Sequence, residues 1–172
     1  MDKILKKYME ELRETYGQDN IPEFSEDAVH TAPILAVLQD PDNPGARKET
    51  RCSFLNPDPT AERQKEILDS VGIETAEVVP WNFFASYDAN KRFVVKSQKE
   101  WANELQKLIA LMPNLKVMVI CGTKAWIGMR FVELRRPIIL IPTPHPADRG
   151  VSQPDAEERL KRAWERAESF IH

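Results

Sequence analysis

Three proline-stiffened segments of this sequence gather residue types that can do chemistry. The first is Leu38-Gln39-Asp40-Pro41-Asp42-Asn43-Pro44-Gly45. A carboxylate here can stay ionised, orient a water or stabilise nearby positive charge. The same residues also suit a turn in which Asp and Asn cap backbone groups. The second is Pro80-Trp81-Asn82-Phe83-Phe84, where an amide can donate and accept at once, and so read the edge of a base, or can serve turn chemistry alone. The third is Pro142-Thr143-Pro144-His145-Pro146-Ala147-Asp148-Arg149-Gly150. Its three prolines hold His145 in a stiff loop, an odd place for a histidine that only packs. Cys52 and Cys121 form no CxxC pair, and His30, His145 and His172 are scattered. No metal-ligand spacing and no four-cysteine site follow, so no metal or cofactor is expected. Both cysteines read as small buried hydrophobes.

Four apolar, β-branched runs predict the strands that position these segments: Pro33 to Leu38, Ala76 to Pro80, Lys116 to Cys121 and Ile138 to Ile141. The first, third and fourth are nearly continuous hydrophobic runs, as buried parallel strands require. Helical periodicity fills the intervals. Ile4, Leu5, Tyr8, Met9, Leu12 and Tyr16 mark an amino-terminal amphipathic helix. A second helix spans Thr60 to Val71 with Gly72 as its stop, and a third runs from a Ser97 cap to Met112, before Pro113. A last begins near Pro154-Asp155 and carries Leu160, Ala163, Trp164, Ala167 and Phe170 on one face. Strands alternating with helices predict an α/β fold: one domain over residues 1–172, three layers α/β/α, with a four-stranded, mostly parallel sheet. Six prolines (Pro41, Pro44, Pro80, Pro142, Pro144, Pro146) are read as lying just past strand ends. Open α/β sheets bind ligands at the carboxyl ends of their strands. The three chemical segments are therefore expected at one edge.

Composition narrows the partners. The 172 residues are 42% hydrophobic and 30% charged, ordinary for a globular chain. No apolar run approaches the roughly 20 residues of a membrane span, and the amino terminus lacks a secretion signal, so a cytoplasmic protein is expected. The net charge of −3 does not mark a bulk nucleic-acid binder, which leaves local basic groups to serve any such contact. Candidates are Arg47, Lys48 and Arg51, Lys91 with Arg92, Arg130, Arg135 with Arg136, and Arg149. No glycine-rich phosphate loop follows any strand.

In combination the segments resemble the uracil-DNA glycosylase superfamily. Gln39-Asp40-Pro41 is similar to its Gly-Gln-Asp-Pro-Tyr motif, and Cys52-Ser53-Phe54 to the segment bearing an aromatic that stacks on the extracted base. Val79-Pro80-Trp81-Asn82 resembles the strand end whose asparagine reads uracil. Val119-Ile120-Cys121-Gly122-Thr123-Lys124-Ala125 resembles the third strand and its glycine turn, and Pro144-His145-Pro146 the His-Pro-Ser-Pro-Leu loop. Five segments match in order, from about Ile34 to Gly150.

The resemblance implies a monofunctional, metal-free hydrolase of base-excision DNA repair, acting as a monomer on uracil or a related base flipped out of DNA. It implies Asp40 and His145 as catalytic, and Gln39 (through its backbone), Asp42, Phe54 and Asn82 as substrate-binding. Arg149, Arg47 and Lys48 would contact DNA. The sequence departs from the family pattern at Leu38, in place of a glycine, and at Asp42, where a tyrosine often excludes the thymine methyl group. Ala147-Asp148-Arg149 replaces Ser-Pro-Leu, which makes Arg149 the expected wedge or phosphate contact. A pyrimidine modified at C5 becomes admissible. Two alternatives stand beside this: a non-catalytic member of the same fold that binds nucleic acid or a protein, and a hydrolase of free nucleosides or nucleotides.

Overall fold

A computed structural model describes residues 2–41, 50–87 and 93–172, apart from the side chains of Asp148 and Arg149. Helix α1 (Lys3–Tyr16) starts where the Asp2 carboxylate accepts from the Ile4 and Leu5 N–H groups. It thereby satisfies donors that a helix start otherwise leaves orphaned. Leu5, Tyr8, Met9 and Leu12 are buried, while Ile4, expected on the same stripe, is exposed. Strand β1 (Glu23–Phe24) pairs in parallel with β3 (Arg51–Cys52), and β2 (Ile34–Leu38) lies between them in sequence. The chain continues through α2 (Pro59–Val71), β4 (Val78–Asn82), α3 (Val95–Leu111), β5 (Val117–Cys121), α4 (Thr123–Gly128), β6 (Ile139–Thr143), α5 (Asp148–Val151) and α6 (Ala156–Glu168).

The main sheet has four strands in the order β4-β2-β5-β6, and every pairing is parallel, so the architecture is the α/β arrangement that the alternation predicts. Alternate residues of each strand face opposite layers. Leu35, Val37, Val79, Trp81, Met118 and Ile120 face one core, shared with α1 and α3. Ile34, Ala36, Leu38, Val78, Val117 and Val119 face the other, shared with α2 and α6. Trp81 stacks on Phe24 in the first core, and Trp164 meets Phe54 edge-on in the second. Among the described residues no helix is long and apolar enough to cross a membrane.

Several boundaries differ from the sequence expectation. The second strand occupies Val78–Asn82, because Thr75–Glu77 forms a 3-10 turn before it. Pro80 and Pro142 therefore lie inside strands and not after them, opposite Ala36 and Ile120. Both sit on outer strands, where a proline's missing N–H can face away from the ladder. Helix α3 begins at Val95, after an extended Val94, which places Ser97 inside the first turn and not at the cap. Asp155, in a left-handed conformation, precedes α6 without any capping bond from its side chain. The β1–β3 pair was not foreseen, since two-residue strands are too short to show a period.

Candidate functional site

Parallel pairing places the carboxyl ends of β2 and β4 side by side, with Leu38 opposite Asn82. Beyond these ends the backbone stays tied: the Phe83 N–H donates to the Leu38 carbonyl at 2.8 Å and the Phe84 N–H to the Gln39 carbonyl at 3.0 Å. Two loops that are distant in sequence are thus held as one edge. A small cleft, partly open to solvent, lies there between the sheet and α2. Asp40, Phe54 and Asn82 all line it. Phe54 is 4% exposed and braced by Trp164, its ring edge-on at 6.3 Å. Asn82 is 3% exposed, and its Nδ2 donates to the Cys52 Sγ at 3.5 Å. Burial pushes the Cys52 thiol up to about 12 despite that hydrogen bond, so the sulfur stays protonated and neutral. The Gln39 side-chain amide donates to Asp40 Oδ2, which orients the carboxylate.

His145 does not line this cleft; it stands beyond β6, which the strand order separates from β2 by β5. Gly122, the turn after β5, is what lets it approach. With φ at 91°, Gly122 adopts a backbone that side chains rarely take, and a Cβ on it would lie 3.1 Å from the His145 Cβ. Burial lowers the His145 pKa from its ordinary value, while the Asp40 charge pulls it partly back. The Ala147 N–H donates to His145 Nδ1 at 3.1 Å. With Nδ1 accepting, the neutral ring carries its proton on Nε2. The chain thus offers a neutral imidazole N–H donor beyond β6 that feels the charge of an aspartate beyond β2.

The sequence-derived residues divide accordingly. Asp40, Phe54 and Asn82 converge, His145 stands outside their cleft and feels only the Asp40 charge, and the Gln39 carbonyl is engaged by the Phe84 N–H. Asp42, Arg47 and Lys48 lie outside the described residues, as does the side chain of Arg149, whose backbone belongs to α5. Among the described residues no three His, Cys, Asp or Glu side chains gather as a metal site requires.

Sequence reasoning missed four contributors. Cys52, read as a core residue, contacts the Asn82 amide. Arg63 on α2 donates to the Pro146 carbonyl, tying that helix to the His145 loop. Asp58 and Gln64 also line the cleft. Their signals were present. Asp58-Pro59 is an N-cap followed by a proline at the first helical position. Gln64 falls on the stripe of Thr60, Ala61, Ile67 and Leu68, a polar residue at an apolar position. No protein-family model matches this sequence, and no curated protein matches it.

Proposed function

We propose that this protein is a DNA glycosylase that hydrolyses the N-glycosidic bond of uracil, or of a related pyrimidine, rotated out of DNA. The observation that carries this is the meeting of Asp40, Phe54 and Asn82 in one cleft at the carboxyl edge of the sheet. Phe54 offers a braced aromatic face on which a flipped base stacks, recovering part of a cost of a few kcal/mol for unstacking. Asn82 accepts from N3–H through Oδ1 and donates to O4 with the amide hydrogen that Cys52 leaves unused. Cytosine cannot match this pattern, and buried polar groups left unpaired make such discrimination strong.

Bond cleavage develops positive charge on the sugar and negative charge on the departing base. Asp40, as a carboxylate, stabilises the first and orients the attacking water. Neutral His145 donates through Nε2 to the base O2 as the second develops. Both act by electrostatic preorganisation. No lysine nucleophile is invoked, so the product is an intact abasic strand. A cytoplasmic, monomeric enzyme fits this reading. Action on a free nucleoside is the second reading, favoured by the net charge of −3.

The test is alkali-revealed cleavage of end-labelled DNA bearing one uracil, single-stranded and in U·G and U·A pairs. Wild-type protein should generate abasic sites, and Asp40→Asn should lower the rate by about 10² to 10³, the scale of one electrostatic catalytic group. Wild-type silence on uracil and on C5-modified pyrimidines, or an Asp40→Asn variant as fast as wild type, would refute it.

A further inference from the structure

The inner wall of the cleft carries hydrogen-bond acceptors that the chemistry above does not use. Asp58 is 8% exposed and Gln64 2% exposed, and both line the same cleft as Asp40 and Asn82. Asp58 Oδ1 accepts from the Thr60 and Ala61 N–H groups and starts α2. Its second oxygen, Oδ2, and the Gln64 Oε1 have no hydrogen-bond partner among the described residues. Neighbouring donors are turned elsewhere. The Asn56 amide donates to the Arg51 carbonyl, Ser53 Oγ bonds with Ser25 Oγ, and Asn82 Nδ2 donates to Cys52. Asp58 also acts through its charge on Cys52, the residue that touches Asn82. A carboxylate oxygen and an amide oxygen, both buried without a partner among the described residues and both on side chains that line one cleft, select for a donor group on what enters it.

We propose that Asp58 and Gln64 form a donor-seeking subsite that receives an amino or ammonium group carried at C5 of the pyrimidine. This rests on the glycosylase reading for the identity of the base. The position then follows from chemistry. N1 holds the sugar, N3 and O4 face Asn82, and O2 faces His145, which leaves C5 and C6; C5, away from the glycosidic nitrogen, is the one that carries an arm without crowding the sugar. The substrate class is thereby a pyrimidine with the uracil imide edge and a short aminoalkyl arm.

The decisive comparison is 5-(aminomethyl)uracil against 5-ethyluracil, which have the same number of heavy atoms and differ in the donor. Each is presented as a free base in a calorimetric titration and as a single lesion in duplex DNA. Wild-type protein should favour the amine by about tenfold or more in both assays, the scale of one hydrogen bond to a charged group. Asp58→Asn should bring the ratio toward one while keeping the helix cap, since asparagine caps as well as aspartate. Gln64→Met, close in volume, should reduce the ratio by a smaller factor, with thermal melting checking that both variants fold. Equal affinity and rate for the two bases in wild type, or an unchanged ratio in Asp58→Asn, would overturn the subsite. An amine preference in free-base binding without cleavage of any DNA would uphold the subsite and refute the glycosylase reading. Cleavage of uracil DNA without an amine preference would do the reverse, and no binding with no cleavage would remove both.

Discussion

At the scale of single residues, the state of the site is set by where protons sit. The His145 imidazole is buried, which lowers its pKa from 6.5, and Asp40 opposes part of that fall. The Ala147 N–H, donated to Nδ1, adds a contact that only the unprotonated nitrogen can accept. The ring is therefore neutral through the physiological range and takes a proton only as pH falls past its lowered value. The proposed rate should be level near neutrality and drop on acidification, because a proton on Nδ1 breaks the Ala147 bond and reorients the ring. Stability has the same sign. A depressed folded-state pKa means that the unfolded chain protonates first. The contribution of the neutral ring is thus present above the unfolded value and lost as pH falls through the folded one. Replacing Asp40 by Asn removes the opposing term and should lower the His145 pKa further. NMR titration of the three histidines resolves this, and a His145 pKa that rises in Asp40→Asn would contradict the coupling.

At the scale of elements, the His145 loop is held from three sides: by Gly122 beneath it, by Arg63 of α2 at the Pro146 carbonyl, and by α5 behind it. The tightest approach is at Gly150, where a Cβ would stand 1.9 Å from the His145 carbonyl oxygen and 2.7 Å from its carbon. Backbone atoms cannot yield as a side chain can, so Gly150→Ala must displace the loop. A shift of about 1 Å in a reacting group can cost roughly a hundredfold in rate. Gly150→Ala should lower kcat by about 10- to 100-fold with little change in KM, and Arg63→Met by a smaller factor, measured on the uracil substrate. An unchanged kcat in Gly150→Ala would show that the loop position does not matter. These contacts explain what could be read in advance. Pro144-His145-Pro146 announced a stiff loop that ends at Gly150, but the close approach of Gly150 to the His145 carbonyl depends on the turn into α5, and nothing local in Arg63 reveals its tertiary contact with Pro146. The strands after Pro33 and Lys116 were legible because both their faces are buried and the run is unbroken. The strand Val78–Asn82 was misplaced by two residues because proline, normally a stop, is tolerated on an outer strand. Asp40 and Asn82 were legible as residue types at strand ends. Their adjacency needed the parallel register of β2 with β4, which no single segment encodes.

At the scale of the whole molecule, charge decides which substrate can be approached. The chain carries 24 basic and 27 acidic residues, so any attraction to a phosphate backbone must be local. Some of the basic groups are committed to the fold. Arg136 donates to the Pro113, Ile109 and Met112 carbonyls at the end of α3, and Arg51 pairs with Glu26 at 2.6 Å. Arg130 lies over the Phe131 ring and donates to Gln98. Contact with about four phosphates gives a log–log salt slope near −3.6, or a loss of roughly a hundredfold in affinity between 50 and 200 mM salt. Fluorescence anisotropy with a labelled duplex bearing one uracil measures this directly, using Asp40→Asn to hold the substrate intact. A free deoxyuridine, being neutral, should show no such slope. Steep salt dependence for the duplex, with no hydrolysis of the nucleoside, is the outcome expected of a DNA glycosylase. A flat duplex isotherm together with nucleoside hydrolysis by the wild-type protein would instead assign the cleft to free nucleosides, in keeping with the acidic balance of the chain.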